Sequence, residues 1–242
     1  MNETNNILKT EMPNRKSGQF EPLVMPTPNT FENKDCMSVL PFIPDEYFDL
    51  AIVDPPYGIN IAKNFDHYKG GTKSWKKHKN KDWDKTTPPK EYFWELKRVA
   101  KNQIIFGANY FIYNLPSITK GWIVWDKVNH ELTMSDCEII YTSFNCKTKV
   151  YKENFGTERG VNNLYGDIHP TQKSTRLYKW LLRNYAKAGD FILDTHVGSG
   201  SSLIACIELG FNYYGTEIDK EYFDSASVRI SKAYRKYELF GA

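Results

Sequence analysis

Phe191-Ile-Leu-Asp-Thr-His-Val-Gly-Ser-Gly-Ser-Ser202 runs from an apolar stretch through two glycines into a helical stretch, and Tyr213-Tyr-Gly-Thr-Glu-Ile-Asp219 follows closely. Residues 191–194 read as a buried strand, 201–210 as a helix and 213–217 as a second strand. A strand, a crossover helix and a second strand form the unit from which parallel sheets are built. The same alternation recurs along the chain. Further strand-like runs fall at 30–34, 48–53, 103–106, 122–125 and 138–144, and helical stretches at 89–101, 171–188 and 220–237. Within 171–188, Leu177, Leu181, Leu182 and Tyr185 form one apolar face. The expected fold is therefore α/β, with a parallel, doubly wound sheet.

A chain of 242 residues with 25% charged and 40% hydrophobic residues suits one such domain. A domain of this size needs neither disulfide nor metal to fold. No stretch approaches the ~18 uninterrupted apolar residues of a membrane span. Residues 1–30 are polar and proline-bearing and read as a flexible arm without a signal-peptide core, ahead of a single domain over 31–242. Secreted and membrane classes are thereby excluded, and a cytoplasmic protein without a membrane partner is expected. Cys36, Cys137, Cys146 and Cys206 have no C-x-x-C spacing, and the histidines do not complete a zinc pattern, so free thiols and no metal are expected. Net charge is only +3, but nine lysines lie between Ile61 and Lys90, interleaved with Phe65, Tyr68, Trp75 and Trp83. Two regions fit no element, this basic loop at 60–88 and the stretch at 145–168. Loops this long in a compact domain are usually functional.

The sharpest chemical signal is Asp54-Pro55-Pro56-Tyr57, directly after the apolar run 49–53. Two prolines cannot continue a sheet ladder, so the strand ends here. Its acid then lies at the carboxyl end of a parallel strand, where ligands bind in such folds. An acceptor-only carboxylate, a stiff carbonyl and an aromatic face suit a planar base with an exocyclic amine. In the glycine turn, Gly198, Ser199 and Gly200 allow a ligand to approach the backbone at a helix N-terminus. A dinucleotide fingerprint would need glycine at 203, where Leu203 stands. Glu217, ending a strand, can accept from both hydroxyls of a ribose. His169-Pro-Thr171-Gln-Lys173 opens the 171–188 helix, with Thr171 either capping it or binding an anion, and Lys173 placed to neutralise a carboxylate.

Taken in order, Asp-Pro-Pro-Tyr, His-Pro-Thr-Gln-Lys, Gly-Ser-Gly and Gly-Thr-Glu-Ile-Asp resemble the S-adenosylmethionine-dependent DNA amino-methyltransferases over roughly residues 30–238. The catalytic motif precedes the cofactor loop, as in their permuted β class, and Gly121-Trp-Ile-Val-Trp-Asp-Lys127 resembles phage and prophage members. The resemblance implies a Rossmann-like class I methyltransferase fold with a mostly parallel, seven-stranded sheet. It implies Asp54, Pro55, Pro56 and Tyr57 as the catalytic turn. S-adenosyl-L-methionine would be held by Asp194, His196, Gly198, Ser199 and Gly200, with His169, Thr171 and Lys173 near its carboxylate. Glu217 would take the ribose, and Asp35 would approach the adenine. Phe106-Gly-Ala-Asn109 matches the segment lining the target base. The chain departs from the family at Thr195, His196, Val197, Ser201 and Ser202 in the loop, and at Ser174, where proline is usual.

The activity so implied is transfer of a methyl group to adenine N6 in a nucleotide flipped out of double-stranded DNA, with Tyr57 stacking on the base. A cytosine-N4 enzyme shares the scaffold, although that branch more often carries serine at the Asp54 position. A catalytically silent DNA-binding subunit is the more distant alternative, and a nucleotide-binding oxidoreductase is disfavoured by Leu203. Lys76, Lys77 and Lys79 are expected on DNA phosphates. The short 145–168 insert, with Lys147 and Arg159, is expected to read the target site. Family members are commonly dimers, and a homodimer is expected on that ground alone. Glu131, Asp136 and Glu138 read as solvated or paired acids.

Overall fold

The computed structural model describes residues 25–60, 84–115, 119–128, 135–154, 165, 168 and 171–240. Its strands are β1 (Thr30–Glu32), β2 (Phe48–Val53), β3 (Ala100–Ile105), β4 (Trp122–Asp126), β5 (Cys137–Thr142), β6 (Lys149–Lys152), β7 (Phe191–Asp194) and β8 (Asn212–Thr216). The helices are α1 (Lys90–Val99), α2 (Thr175–Tyr185), α3 (Ser201–Leu209) and α4 (Lys220–Phe240). All eight strands form one sheet in the order β1-β8-β7-β2-β3-β5-β4-β6. β5 runs antiparallel to both neighbours, and every other pairing is parallel.

Side chains of β2 alternate between two cores. Leu50 and Ile52 join Leu177, Leu181, Leu203 and Ile230 on one face, while Ala51 and Val53 join Tyr92, Phe93, Leu96 and Val99 of α1 on the other. Both faces of the sheet are thus covered, which is why its strands read as continuous apolar runs. The helical period predicted over 89–101 overruns by two residues. Ala100 pairs with Phe48, so the chain passes from α1 into β3 without a loop. The seven expected strands all form. The eighth, β6, lies inside the stretch expected to be an irregular recognition insert and pairs with β4. Its four residues are too few, and too rich in lysine, to announce a strand by periodicity. Among the described residues, no helix is long and apolar enough to cross a membrane.

β7 and β2 are adjacent, with Ala51 opposite Leu193, and the chain order reverses between them. Such a switch point opens a crevice at the carboxyl ends of the strands. Asp54 follows β2 and Asp194 ends β7, so the topology brings both acids to that crevice.

Candidate active site

The Asp54–Tyr57 turn is held from outside itself. Asp84 is 2% exposed, and its carboxylate accepts the backbone N–H groups of Tyr57 at 2.8 Å and Gly58 at 3.0 Å. In the sequence Asp84 was only an acid among lysines. Its part in the turn emerges from a contact across 27 residues. Asp84→Ala should leave both N–H groups without this acceptor, at a cost of about 1–3 kcal/mol. The expected result is a lower turnover with cofactor affinity unchanged, read by single-turnover kinetics and calorimetry.

Tyr57 is packed on both sides. Its ring stacks on Tyr110 at 5.0 Å and 13°. A Cβ on Gly107, which stands at φ +63°, would come within 2.3 Å of the same ring, so only glycine fits there. This revises the expectation of a free stacking face on Tyr57, because Tyr110 occupies it here. The Tyr57 hydroxyl lies 2.6 Å from Asp54 Oδ1 and 2.7 Å from Glu138 Oε1. Burial and the two carboxylates together push the phenol well above its ordinary pKa.

Lys173 is 6% exposed and reaches this cluster from the segment before α2. Its ammonium lies 2.5 Å from Asp54 Oδ2 and 3.2 Å from Glu138 Oε1, and donates to the Tyr57 hydroxyl at 3.1 Å. The charge of Lys173, expected near the cofactor's carboxylate, is engaged here by two protein carboxylates. Thr171, expected as a possible cap of α2, is also displaced from that role. Ser174 caps the helix, its Oγ accepting from Leu177 N at 3.1 Å and donating to Glu153 at 2.5 Å. The departure from proline at 174 thus has a structural purpose.

Glu138, 9% exposed, completes the cluster with Lys127 at 3.2 Å. Between the two readings of this acid, solvated or paired, the structure gives the paired one. A signal was available: Glu138 is in phase with the buried Ile140 and Thr142 on β5, so alternation already turned it inward. Burial raises the Asp54 pKa, opposed chiefly by Lys173. For Glu138 the two lysines and the Tyr57 hydroxyl outweigh burial and lower it.

The glycine loop between β7 and α3 is drawn tight by acids. Asp194, 1% exposed, accepts from His196 N at 3.0 Å and from the Ser202 hydroxyl. Burial pushes its carboxyl up to about 7. Glu217 accepts from Gly198 N and Asp219 N, both at 2.8 Å, linking the end of β8 to the loop. Gly198 at φ +54° has open space where a Cβ would project, with only the His196 carbonyl at 3.8 Å. At Gly200, φ +82°, a Cβ would come within 3.3 Å of Ile230 and 3.4 Å of Ala226 of α4. Ser199, expected at the cofactor, turns its side chain into the protein. It is 6% exposed, its hydroxyl lies on Ser201 at 3.1 Å, and its carbonyl accepts from Arg229. Arg229, 1% exposed, was missed in the sequence although it shares an apolar stripe with Ala226, Ile230 and Ala233.

His196 is packed edge-on against Tyr92 at 5.2 Å, with Nδ1 2.9 Å from Thr195 Oγ1. Desolvation lowers its pKa from 6.5 to about 4, so the ring is neutral near pH 7. A depressed histidine binds fewer protons folded than unfolded between those two values. Its contribution to stability is therefore present above pH 6.5 and lost as pH falls toward about 4. His196→Phe should flatten that part of the acid-stability profile, measured by urea midpoints at stepped pH. An unchanged slope would rule this out.

Asp35 does not end β1, which stops at Glu32. It caps the turn Cys36–Ser38, accepting from Met37 N at 2.9 Å, and its charge reaches His196. Asn109 is exposed on the turn Ala108–Tyr110, whose Tyr110 stacks on the Tyr57 ring. Lys147 is exposed just before β6. Lys76, Lys77, Lys79, Arg159 and His169 lie outside the described residues.

The eight-stranded α/β sheet, with an acid-ended strand and a glycine loop side by side at its switch point, is a class I methyltransferase fold. A DNA methylase family model matches residues 64–228, and the chain belongs to that N6/N4 methyltransferase family. The type II methyltransferase M.HinfI of Haemophilus influenzae is 28% identical, over 84% of this chain and 68% of that protein. Among solved structures, the M1.HpyAVI–SAM complex aligns with a TM-score of 0.55 at 19% identity, covering 83% of this chain and 98% of that one. The cytosine-N4-specific PvuII DNA methyltransferase aligns with a TM-score of 0.56 at 11% identity, covering 88% and 93%.

Proposed function

We propose that this DNA methyltransferase transfers a methyl group from S-adenosyl-L-methionine to N6 of adenine in a nucleotide flipped out of double-stranded DNA. The observation that carries the reading is the Asp54 carboxylate at the end of β2, beside the glycine loop of β7 and paired with Lys173. A carboxylate, rather than the serine more usual in the cytosine branch, favours adenine.

The residues of the crevice suit the cofactor. Gly198 leaves a cradle that a side chain would fill, and the Glu217 carboxylate stands at the end of β8 beside that cradle, tied to Gly198 N. Glu217 would take the ribose hydroxyls, and the backbone from Gly198 to Gly200 would lie along the ligand, with Asp194 fixing the loop. When bound, the cofactor supplies an electrophilic methyl group.

Asp54 supplies the orientation on the other side. Its Oδ2 is held by Lys173 and its Oδ1 by Tyr57, so the carboxylate is fixed, and each oxygen retains a lone pair for the amino group. Hydrogen bonds from the amine to Asp54 and to the Pro55 carbonyl would draw the nitrogen out of conjugation and aim its lone pair. Acceptors fixed in this way stabilise the positive charge that develops on nitrogen without reorganising. Positioning of both reactants contributes up to ~7–11 kcal/mol in model reactions. A base entering the site takes the place of Tyr110 on the Tyr57 ring and recovers about 1–3 kcal/mol of the cost of flipping. The basic run at 60–88 and Lys147 supply phosphate contacts in this reading.

Incubation of the protein with methyl-labelled cofactor and unmethylated duplex DNA, followed by nucleoside analysis, tests it. N6-methyladenine is the expected product. N4-methylcytosine would overturn the base assignment, and cofactor binding without any methylated nucleoside would support the silent subunit.

A further inference from the structure

We propose that Glu138 is the second carboxylate of the catalytic turn, a positioning residue that shares the Tyr57 hydroxyl proton with Asp54 and receives the proton released from the methylated amine. This rests on the reading of the Asp54 turn as the methyl-transfer site. The geometry carries it by proton count. Tyr57 Oη lies 2.6 Å from one carboxylate and 2.7 Å from the other, yet a phenol has one proton to donate. With both acids ionised, one of these two short O···O contacts has no hydrogen in it. With one further proton in the cluster, both contacts become hydrogen bonds: Asp54 donates to Tyr57 and Tyr57 donates to Glu138. The line Asp54–Tyr57–Glu138 is thus built to take up one proton.

Such a line also solves a problem of the reaction, which leaves a positive charge on the methylated nitrogen. As the N–H bond of that nitrogen breaks, an O–H bond forms on Asp54 Oδ1. This proton passes to Tyr57 Oη while the original phenolic O–H bond breaks toward Glu138 Oε1. The amine has lost one proton, Glu138 has gained one, and Asp54 and Tyr57 are restored. Lys127, 3.2 Å from Glu138 Oε2, and Lys173 favour its return to the ionised form, releasing the proton to water. The other titratable groups that feel the charge of the pair are Asp194, Tyr92 and Tyr178. None of them bridges the two carboxylates as Tyr57 does.

The test is a pair of readings on wild type, Glu138→Gln and Tyr57→Phe. The first is the infrared carboxyl stretch of the free enzyme across pH, with Asp54→Asn to assign the signal. The second is the single-turnover methylation rate across pH. Removing the negative charge of Glu138 should shift the Asp54 titration and the acid limb of the rate to lower pH. Tyr57→Phe keeps the ring packing but removes the hydroxyl that favours ionised Asp54, and should shift both to higher pH. At the optimum, Glu138→Gln should slow transfer about a hundredfold. The double variant should be no slower than Tyr57→Phe alone, because the two act in one line. An acid limb unmoved by Glu138→Gln, or rate losses that multiply, would overturn the relay. Wild-type enzyme that methylates no DNA would overturn the functional reading beneath it, whereas the infrared titration reports the shared proton without any substrate.

Discussion

Asp54→Ala will reduce single-turnover methyl transfer by about a thousandfold while the protein remains folded and binds its cofactor. The size follows from what one side chain supplies: the acceptor that orients the amine, the charge that stabilises the developing cation, and the first station for the departing proton. The fold survives because Lys173 keeps Glu138 at 3.2 Å and Tyr57 at 3.1 Å after Asp54 is gone. Asp54→Asn, which keeps an acceptor oxygen but not the charge, should fall between wild type and alanine. In the wild type the raised Asp54 pKa makes activity fall as pH drops through that value, since only the ionised form accepts from the amine. Methyl incorporation into DNA and calorimetric cofactor binding measure the two sides. A variant that loses cofactor affinity in step with its rate would place Asp54 in binding rather than in transfer.

Lys173→Met will destabilise the fold by about 3–5 kcal/mol near pH 8, because buried Glu138 and half-buried Asp54 lose the cation between them. Lys127 remains on Glu138, but Asp54 has no other cation at contact distance among the described residues. The deficit depends on pH in a definite direction. Without Lys173 the Asp54 carboxyl, already raised by burial, rises further above its unfolded value, so the folded state binds more protons and stability falls as pH rises through that window. Urea midpoints at pH 5 and pH 8 should therefore differ more in the variant than in wild type. The acid limb of the methylation rate should move to higher pH, opposite to the shift expected for Glu138→Gln. A variant with wild-type midpoints at both pH values would mean that water, not Lys173, balances the pair.

The strands and helices were readable because each is declared within a short window. β7, α3 and β8 follow from an apolar run, two glycines and a second apolar run, and Pro55-Pro56 ends β2 by removing two backbone donors. Asp54, Tyr57, Asp194 and Glu217 were legible for the same reason, as polar residues at strand ends. β6 was not, since its pairing with β4 is what makes Lys149–Lys152 a strand. Lys149, one of its members, has its ammonium on Asn184 at 2.8 Å and over the Tyr185 ring at 5.1 Å. That contact belongs to packing against α2, and no local pattern announces it.

Local pattern alone therefore determined the α/β class, the order of the Asp54 turn before the glycine loop, and which acids stand at strand ends. Only the tertiary structure decided what those acids touch. Lys173 meets Asp54 across 119 residues, and Tyr57 meets Glu138 across 81. The physical reason is that periodicity records which side of an element is buried, whereas the partner of a buried charge is chosen by electrostatics among all groups the folded chain brings within a few ångströms. In a low-dielectric interior an ammonium settles where carboxylates are nearest. For Lys173 that place is the Asp54–Tyr57 turn.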